Sequence, residues 1–187
     1  MAVEIEIKAW VRRPDETRAL VEKLCVFEKD YVKADAYFTA PEDSSFNARA
    51  EGKRSALRVR SENGEWVCTW KEKTLRSGLE VNEENEFRVS DGPLLMELLE
   101  KLGCGRSLRK VKRGRRYSCR GLCVELSEVE DLGLFVEAEK VLDAALPEDI
   151  ALWEKTLRAF LADIGVEERD IEERPYSALL VEKRGGE

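Results

Sequence analysis

From Val3 to Lys8 the chain alternates apolar and charged residues, with Val3, Ile5 and Ile7 on one side and Glu4, Glu6 and Lys8 on the other. That period predicts a strand with one ionic face. Pro14 to Cys25 predicts an amphipathic helix, because Pro14 suits a first turn, Asp15 and Glu16 favour its dipole, and Leu20, Val21 and Leu24 fall at helical spacing. Strands follow over Val32–Thr39, Ser55–Glu62, Trp66–Lys73 and Glu84–Val89. Asp91-Gly92-Pro93 signals a turn into a helix over Leu94–Leu102 that Gly103 stops. Strands resume over Ser107–Cys119, Leu122–Glu128 and Leu134–Leu142. Pro147 opens a long helix to about Ile164, and Pro175–Lys183 reads as a short last one.

The ionic face of the first strand recurs in almost every later one. Arg58 and Arg60 alternate with Leu57 and Val59, Thr69, Lys71 and Lys73 share a face, and Glu84, Glu86 and Arg88 oppose Phe87 and Val89. Lys110 and Lys112 flank Val111, Glu125 and Ser127 flank Leu126, and Glu137 and Glu139 flank Ala138. A solvated face would explain any single strand, since antiparallel sheets commonly keep one side wet. Here, however, same-face neighbours carry like charges: Glu4 with Glu6, Arg58 with Arg60, Lys71 with Lys73, Glu137 with Glu139. Such pairs repel unless something of opposite sign lies between them. The helices also need apolar surface to cover. If they cover the apolar faces from outside, the charged faces point inward and the sheet is an antiparallel barrel with a charged lumen.

Composition sharpens this picture. The 187 residues suit one domain, expected over 1–183 with a frayed tail at 184–187. Charged residues reach 38%, against about 25% in ordinary domains, and 43% hydrophobic content excludes a disordered polyampholyte. A histidine count of 0 removes imidazole bases, Ser-His-Asp and Cys-His nucleophile systems and the common zinc sets. Cys25, Cys68, Cys104, Cys119 and Cys123 contain no C-x-x-C pair and read as buried small hydrophobes. No apolar run of about 18 residues occurs, so a soluble, cytoplasmic protein with no membrane partner is expected. The basic run Arg109–Arg116 lacks an aromatic platform and sits in a chain of net charge −7, which argues against nucleic acid. The tryptophans read as packing residues; for Tyr37, packing ranks ahead of stacking on a substrate ring.

Clustered carboxylates without imidazole or thiolate partners favour Mg²⁺ or Mn²⁺. Clustered Arg and Lys suit several phosphates in a row. The ligand predicted for such a lumen is a metal–polyphosphate complex.

Glu4-Ile5-Glu6-Ile7-Lys8 resembles the ExExK signature of the CYTH superfamily, the triphosphate tunnel metalloenzymes. Asp35-Ala36-Tyr37-Phe38 is similar to its D-x-Y-F strand, Leu57-Arg58-Val59-Arg60 to L-R-x-R, Thr69-Trp70-Lys71 to T-x-K, and Glu84-Asn85-Glu86 to E-x-E. Leu132–Glu139 resembles L-G-x-F-x-E-x-E, and Arg174–Leu180 the C-terminal end. The resemblance implies an α+β fold, an eight-stranded antiparallel tunnel with helices outside. It implies metal ligation by Glu4, Glu6, Glu137 and Glu139, with Glu125 a further acidic candidate. Lys8, Arg58, Arg60 and Lys71 would hold phosphates, with Lys73 beside them, and Glu6, Glu137 and Lys8 are the catalytic candidates.

Two departures stand out. Leu126-Ser127-Glu128-Val129 places a serine where many relatives have a carboxylate, and Glu125, on the same face, is the candidate substitute. The family's K-x-R strand has several possible registers in Arg109–Arg116; Lys110 and Lys112 are chosen for the lumen, with Arg113 and Arg115 as competitors.

The resemblance implies a divalent-metal-dependent triphosphatase acting on inorganic, thiamine or nucleoside triphosphate. The alternatives are a class IV adenylyl cyclase making cyclic AMP and pyrophosphate from ATP, and a non-catalytic polyphosphate- or nucleotide-binding module. The class IV cyclases tend to lack one Glu of the paired motifs; both pairs are complete here, which favours hydrolysis. A small triphosphate-containing molecule is the expected partner, and the protein is expected to be a monomer or homodimer.

Overall fold

The computed structural model describes residues 2–41, 54–76, 79–143 and 147–185. At 2, 54–56, 71–76, 79–80, 82–84, 147 and 185 it describes the backbone alone. In chain order the elements are β1 (Ala2–Trp10), α1 (Pro14–Leu24), β2 (Val26–Thr39), β3 (Arg54–Glu62), β4 (Glu65–Arg76), β5 (Leu79–Val89), α2 (Gly92–Lys101), β6 (Gly105–Cys119), β7 (Leu122–Val129), β8 (Gly133–Leu142), α3 (Pro147–Asp163) and α4 (Tyr176–Gly185). The expected tail therefore overlaps α4 at 184–185, and 186–187 lie outside the described residues.

The strands close into an antiparallel barrel in the order β1-β5-β4-β3-β2-β6-β7-β8. Closure rests on β1, which pairs with β5 on one edge and with β8 on the other. Because side chains alternate across a strand, the register that places Glu6 opposite Glu139 also sends Ile5, Ile7 and Ala9 outward. There they join Val124, Leu126, Val136 and Ala138 under Val21 of α1, Leu157 and Leu161 of α3, and Ile164 just after it. Each buried valine, leucine or isoleucine among them contributes roughly 1.5–3 kcal/mol. This outer core is what forces the charges inward.

On the opposite side α2 covers β3 and β4, packing Leu95, Met96 and Leu99 against Val59 and Cys68. Its start is capped by the Asp91 carboxylate, which accepts from Leu94 N at 2.9 Å. Gly103 follows at φ +87, the left-handed turn that ends the helix. At one end of the barrel Trp10, Val129, Leu132 and Phe135 pack with Tyr176 and Leu179 of α4.

Strand β2 is longer than its pattern predicts. Val26–Tyr31 does not alternate cleanly, yet it pairs with Gly114–Ser118 of the 15-residue β6. A long neighbouring strand supplies the ladder that local propensity does not. No helix among the described residues is long and apolar enough to cross a membrane.

Candidate active site in the lumen

Glu4 and Glu6 are two residues apart on β1 and therefore share the inner face, and β8 adds Glu139 directly opposite Glu6. One carboxylate oxygen from each of Glu4, Glu6 and Glu139 lies within 4.8 Å of the other two. All three side chains are half-buried. Burial pushes the Glu139 carboxyl up, and the neighbouring Glu6 and Glu125 push it further. A divalent ion removes that repulsion, and three hard oxygen donors suit Mg²⁺ or Mn²⁺. The residues present thus fit the metal.

The basic wall is organised around two buried carboxylates. Asp35 on β2 faces Arg60 on β3 and Lys110 on β6 in adjacent registers. Arg60 donates through Nε to Oδ1 at 2.7 Å and through Nη2 to Oδ2 at 2.9 Å, while Lys110 Nζ lies 3.1 Å from Oδ2. Burial alone would raise the Asp35 carboxyl; Lys110 and Arg60 outweigh it and hold it well below the usual range. Glu125 on β7 receives Arg116 at 2.7 Å, Lys112 at 3.2 Å and the Tyr31 hydroxyl at 2.8 Å, together with Lys33. Lys112 also bonds Glu137, which stands opposite Glu125 on β8. Burial lowers the Lys112 ammonium to about 7, with Lys33, Lys110 and Arg60 adding to the effect against Glu125. A bound polyanion would restore its charge.

Arg58 completes this wall, donating to Thr69 Oγ1 at 2.9 Å and to Glu86 at 3.3 Å. Lys8 is buried on β1 opposite Glu137.

The lumen therefore collects Glu4, Glu6, Lys8, Arg58, Arg60, Lys110, Lys112, Glu125, Glu137 and Glu139 from the positions singled out in the sequence. Glu4, Glu6 and Glu139 form the acidic cluster, whereas Glu125 and Glu137 lie among the bases. The side chains of Lys71 and Lys73 lie outside the described ones; the register sets Lys71 opposite Glu84 on β5. Arg113 and Arg115 are on the outer face, Arg115 paired with Glu22 at 2.9 Å. Ser127 is fully buried opposite Gly114, where a Cβ would come within 2.4 Å of Leu126 O.

Sequence reasoning missed Tyr31, Lys33 and Arg116, and gave Asp35 no role. The alternation Tyr31, Lys33, Asp35, Tyr37 was the available signal on β2. Of the cysteines, Cys25, Cys68 and Cys119 are buried as expected, but Cys104 and Cys123 are half-buried, Cys123 in the lumen where it hydrogen-bonds Glu139.

Residues 2–176 match the model of the CYTH domain. The chain belongs to the CYTH family. A Methanocaldococcus jannaschii protein named "putative adenylate cyclase" is 27% identical over 183 residues, covering 95% of this CYTH chain and 98% of the relative. A solved Pyrococcus horikoshii protein superposes with a TM-score of 0.80 at 29% identity, over 96% of this chain and 99% of the other. The fold is shared with a Hippeastrum protein described as a "putative adenylyl cyclase" with a dominant triphosphatase activity, at TM-score 0.62 and 22% identity over 100% and 97% of the two chains. CYTH members are enzymes acting as triphosphatases or adenylyl cyclases.

Proposed function

We propose that this CYTH protein is a divalent-metal-dependent triphosphatase, hydrolysing inorganic, thiamine or nucleoside triphosphate within the lumen. The observation that carries the reading is the three-carboxylate cluster of Glu4, Glu6 and Glu139 within 4.8 Å, facing a wall of buried bases in the same barrel. An anion-binding module alone has no use for carboxylates crowded against its ligand. Glu4, Glu6 and Glu139 would hold Mg²⁺ or Mn²⁺, which supplies charge neutralisation and a more acidic bound water.

The chain's own part is positioning and electrostatics. Lys8, Arg58, Arg60, Lys110 and Lys112 align the phosphate oxygens. Asp35 keeps Arg60 and Lys110 aimed into the lumen, and Glu125 does the same for Lys33, Lys112 and Arg116. Lys112, poised near neutral pH, takes up a proton as the polyanion enters. Lys8 and Glu137, adjacent across β1 and β8, are the groups placed to hold or move a proton beside the acidic cluster. The same reading includes a cytoplasmic location, where Mg²⁺ and triphosphates meet, and a small-molecule rather than nucleic-acid partner.

The adenylyl cyclase reading is favoured by the name of the Methanocaldococcus relative; the two complete pairs of glutamates favour hydrolysis. Phosphorus NMR of products from tripolyphosphate, thiamine triphosphate and ATP, each with Mg²⁺ and then Mn²⁺, separates them. Orthophosphate with a diphosphate product is expected. Cyclic AMP and pyrophosphate from ATP would replace hydrolysis with cyclisation, and no product from any of the three would leave a binding module.

A further inference from the structure

The C-terminal segment reaches back to the end of the barrel where Trp10 and Phe135 pack. Ile171 bridges Ala9 of β1, and Glu172 N donates to Lys8 O at 2.9 Å. The Glu172 carboxylate accepts from Trp10 Nε1 at 3.1 Å and from Arg174 Nε at 2.9 Å. This fastening delivers Tyr176, the first residue of α4, into the lumen, where 7% of it is exposed. Its ring stands edge-on to Phe135 at 4.9 Å, and Phe135 packs on Trp10 at 4.1 Å. Three ammonium groups surround it. Lys8 Nζ is 5.4 Å from the ring centroid, Lys110 4.9 Å and Lys112 5.6 Å.

These lysines come from β1 and β6, strands separated in the barrel by β7 and β8, so one ring spans the lumen between them. Three like charges converge on a site from which water is largely excluded. Asp35 lies against Lys110, Glu125 and Glu137 lie against Lys112, and Lys8 stands opposite Glu137. The aromatic ring is the element common to all three. Its electron-rich face attracts cations without using up their N–H donors in a hydrogen bond. A further carboxylate in its place would take up more of their donors and compete with phosphate for them.

We propose that Tyr176 is a positioning residue for phosphate binding, whose ring gathers the Nζ groups of Lys8, Lys110 and Lys112 about one point of the lumen. This rests on the triphosphate reading of the lumen. Sequence reasoning assigned Tyr176 no role, because nothing in Arg174–Leu180 indicates that its first aromatic enters a barrel built from residues far earlier in the chain.

The rival role is packing, since the ring also fills the barrel end beside Phe135. Ring electronics separate the two, because a fluorinated ring keeps its shape while losing its negative face. Tyr176→Phe and Tyr176→3,4,5-trifluorophenylalanine are compared for tripolyphosphate affinity by calorimetry in EDTA, so that turnover plays no part, with thermal unfolding as a check on the fold. Tyr176→Phe is expected to bind as the wild type does, and the trifluoro variant about tenfold more weakly, at an unchanged unfolding midpoint. Equal or tighter binding by the trifluoro variant would overturn the proposal.

The lysine ammonium NMR signals carry the same test without ligand. Fluorination is expected to speed proton exchange at Lys8, Lys110 and Lys112, and unchanged exchange would overturn the positioning role. A wild-type protein that binds tripolyphosphate neither in EDTA nor with Mg²⁺ would overturn the triphosphate reading instead, and these signals would still decide what the tyrosine does.

Discussion

On β2, β3 and β6 the Asp35 carboxylate is met by Arg60 at 2.7 Å and Lys110 at 3.1 Å, whereas on β1 and β8 Glu4, Glu6 and Glu139 crowd within 4.8 Å of one another. Both regions bring carboxylates into the same lumen, with opposite electrostatic results. The Asp35 carboxyl is held well below its usual range by its bases, and the Glu139 carboxyl is raised by burial and by Glu6. A buried ion that brings its own partners is part of the scaffold. Like charges gathered without equal compensation gain from a ligand of opposite sign, and that gain appears only when the ligand is bound.

Removing the scaffold ion should have the largest effect. Asp35→Ala leaves Arg60 and Lys110 buried without their shared counterion and is expected to cost about 3–5 kcal/mol in urea unfolding. A loss below about 1 kcal/mol would show that the basic wall does not depend on Asp35. On the other side of the comparison, Glu6→Gln should lower Mg²⁺-dependent turnover at least about a hundredfold, beyond what loss of an outer-shell partner costs. Its thermal midpoint without metal should stay level or rise, because a repulsion has been removed. Unchanged turnover would show that the cluster is not the metal site, and undiminished tripolyphosphate binding without metal in a protein that never turned over would point to a binding module.

A third test uses pH. Lys112 titrates near 7 in the folded protein, below the ordinary 10.5, so the folded chain binds fewer protons than the unfolded one between those values. Stability from this group alone therefore rises with pH across that window. Phosphate binding runs the other way, since the polyanion needs the charged form: tripolyphosphate affinity should fall by up to about tenfold per pH unit above 7. Proton uptake on binding, read by calorimetry in buffers of different ionisation heat, checks it, and Lys112→Arg should flatten the profile.

The smallest effect is expected at the C-terminal fastening. The side-chain hydrogen bonds from Arg174 hold the Glu172 carboxyl down at about 2, so its contribution is complete above the ordinary 4.5 and is lost as pH falls from there through 2. Glu172→Gln should remove that acid dependence, and because the amide oxygen still accepts from Trp10 and Arg174 the cost at neutral pH should be about 1–2 kcal/mol. Acid titration of the fluorescence of Trp10, with Trp10→Phe as the reference, reports it.

Much of the lumen was legible in advance because a strand's period of two converts sequence directly into facing. Glu4, Glu6 and Lys8, Arg58 and Arg60, and Glu137 and Glu139 could be assigned to one face from spacing alone. Where the period was ambiguous, legibility ended. Arg109–Arg116 is basic at almost every position, and only the pairing of β6 with β2 turned Lys110, Lys112 and Arg116 inward and Arg115 outward toward Glu22. Lys33 was passed over because a lone lysine between valine and alanine looks like any strand surface. Its importance comes from Glu125, 92 residues away.

Strands with one ionic face, helices with apolar stripes to bury, and chemistry without histidine are all written along the chain. These follow from local period and residue type, which need no partner. How the charges are divided is set by folding. Carboxylate pKa depends on what lies a few ångströms away, and it was closure of β1 against β8 that set Glu6 opposite Glu139, while β7 set Glu125 among Lys33, Lys112 and Arg116. The same glutamate side chain is a candidate metal ligand in one place and a scaffold counterion in the other because Coulomb interactions are read across the lumen and not along the chain.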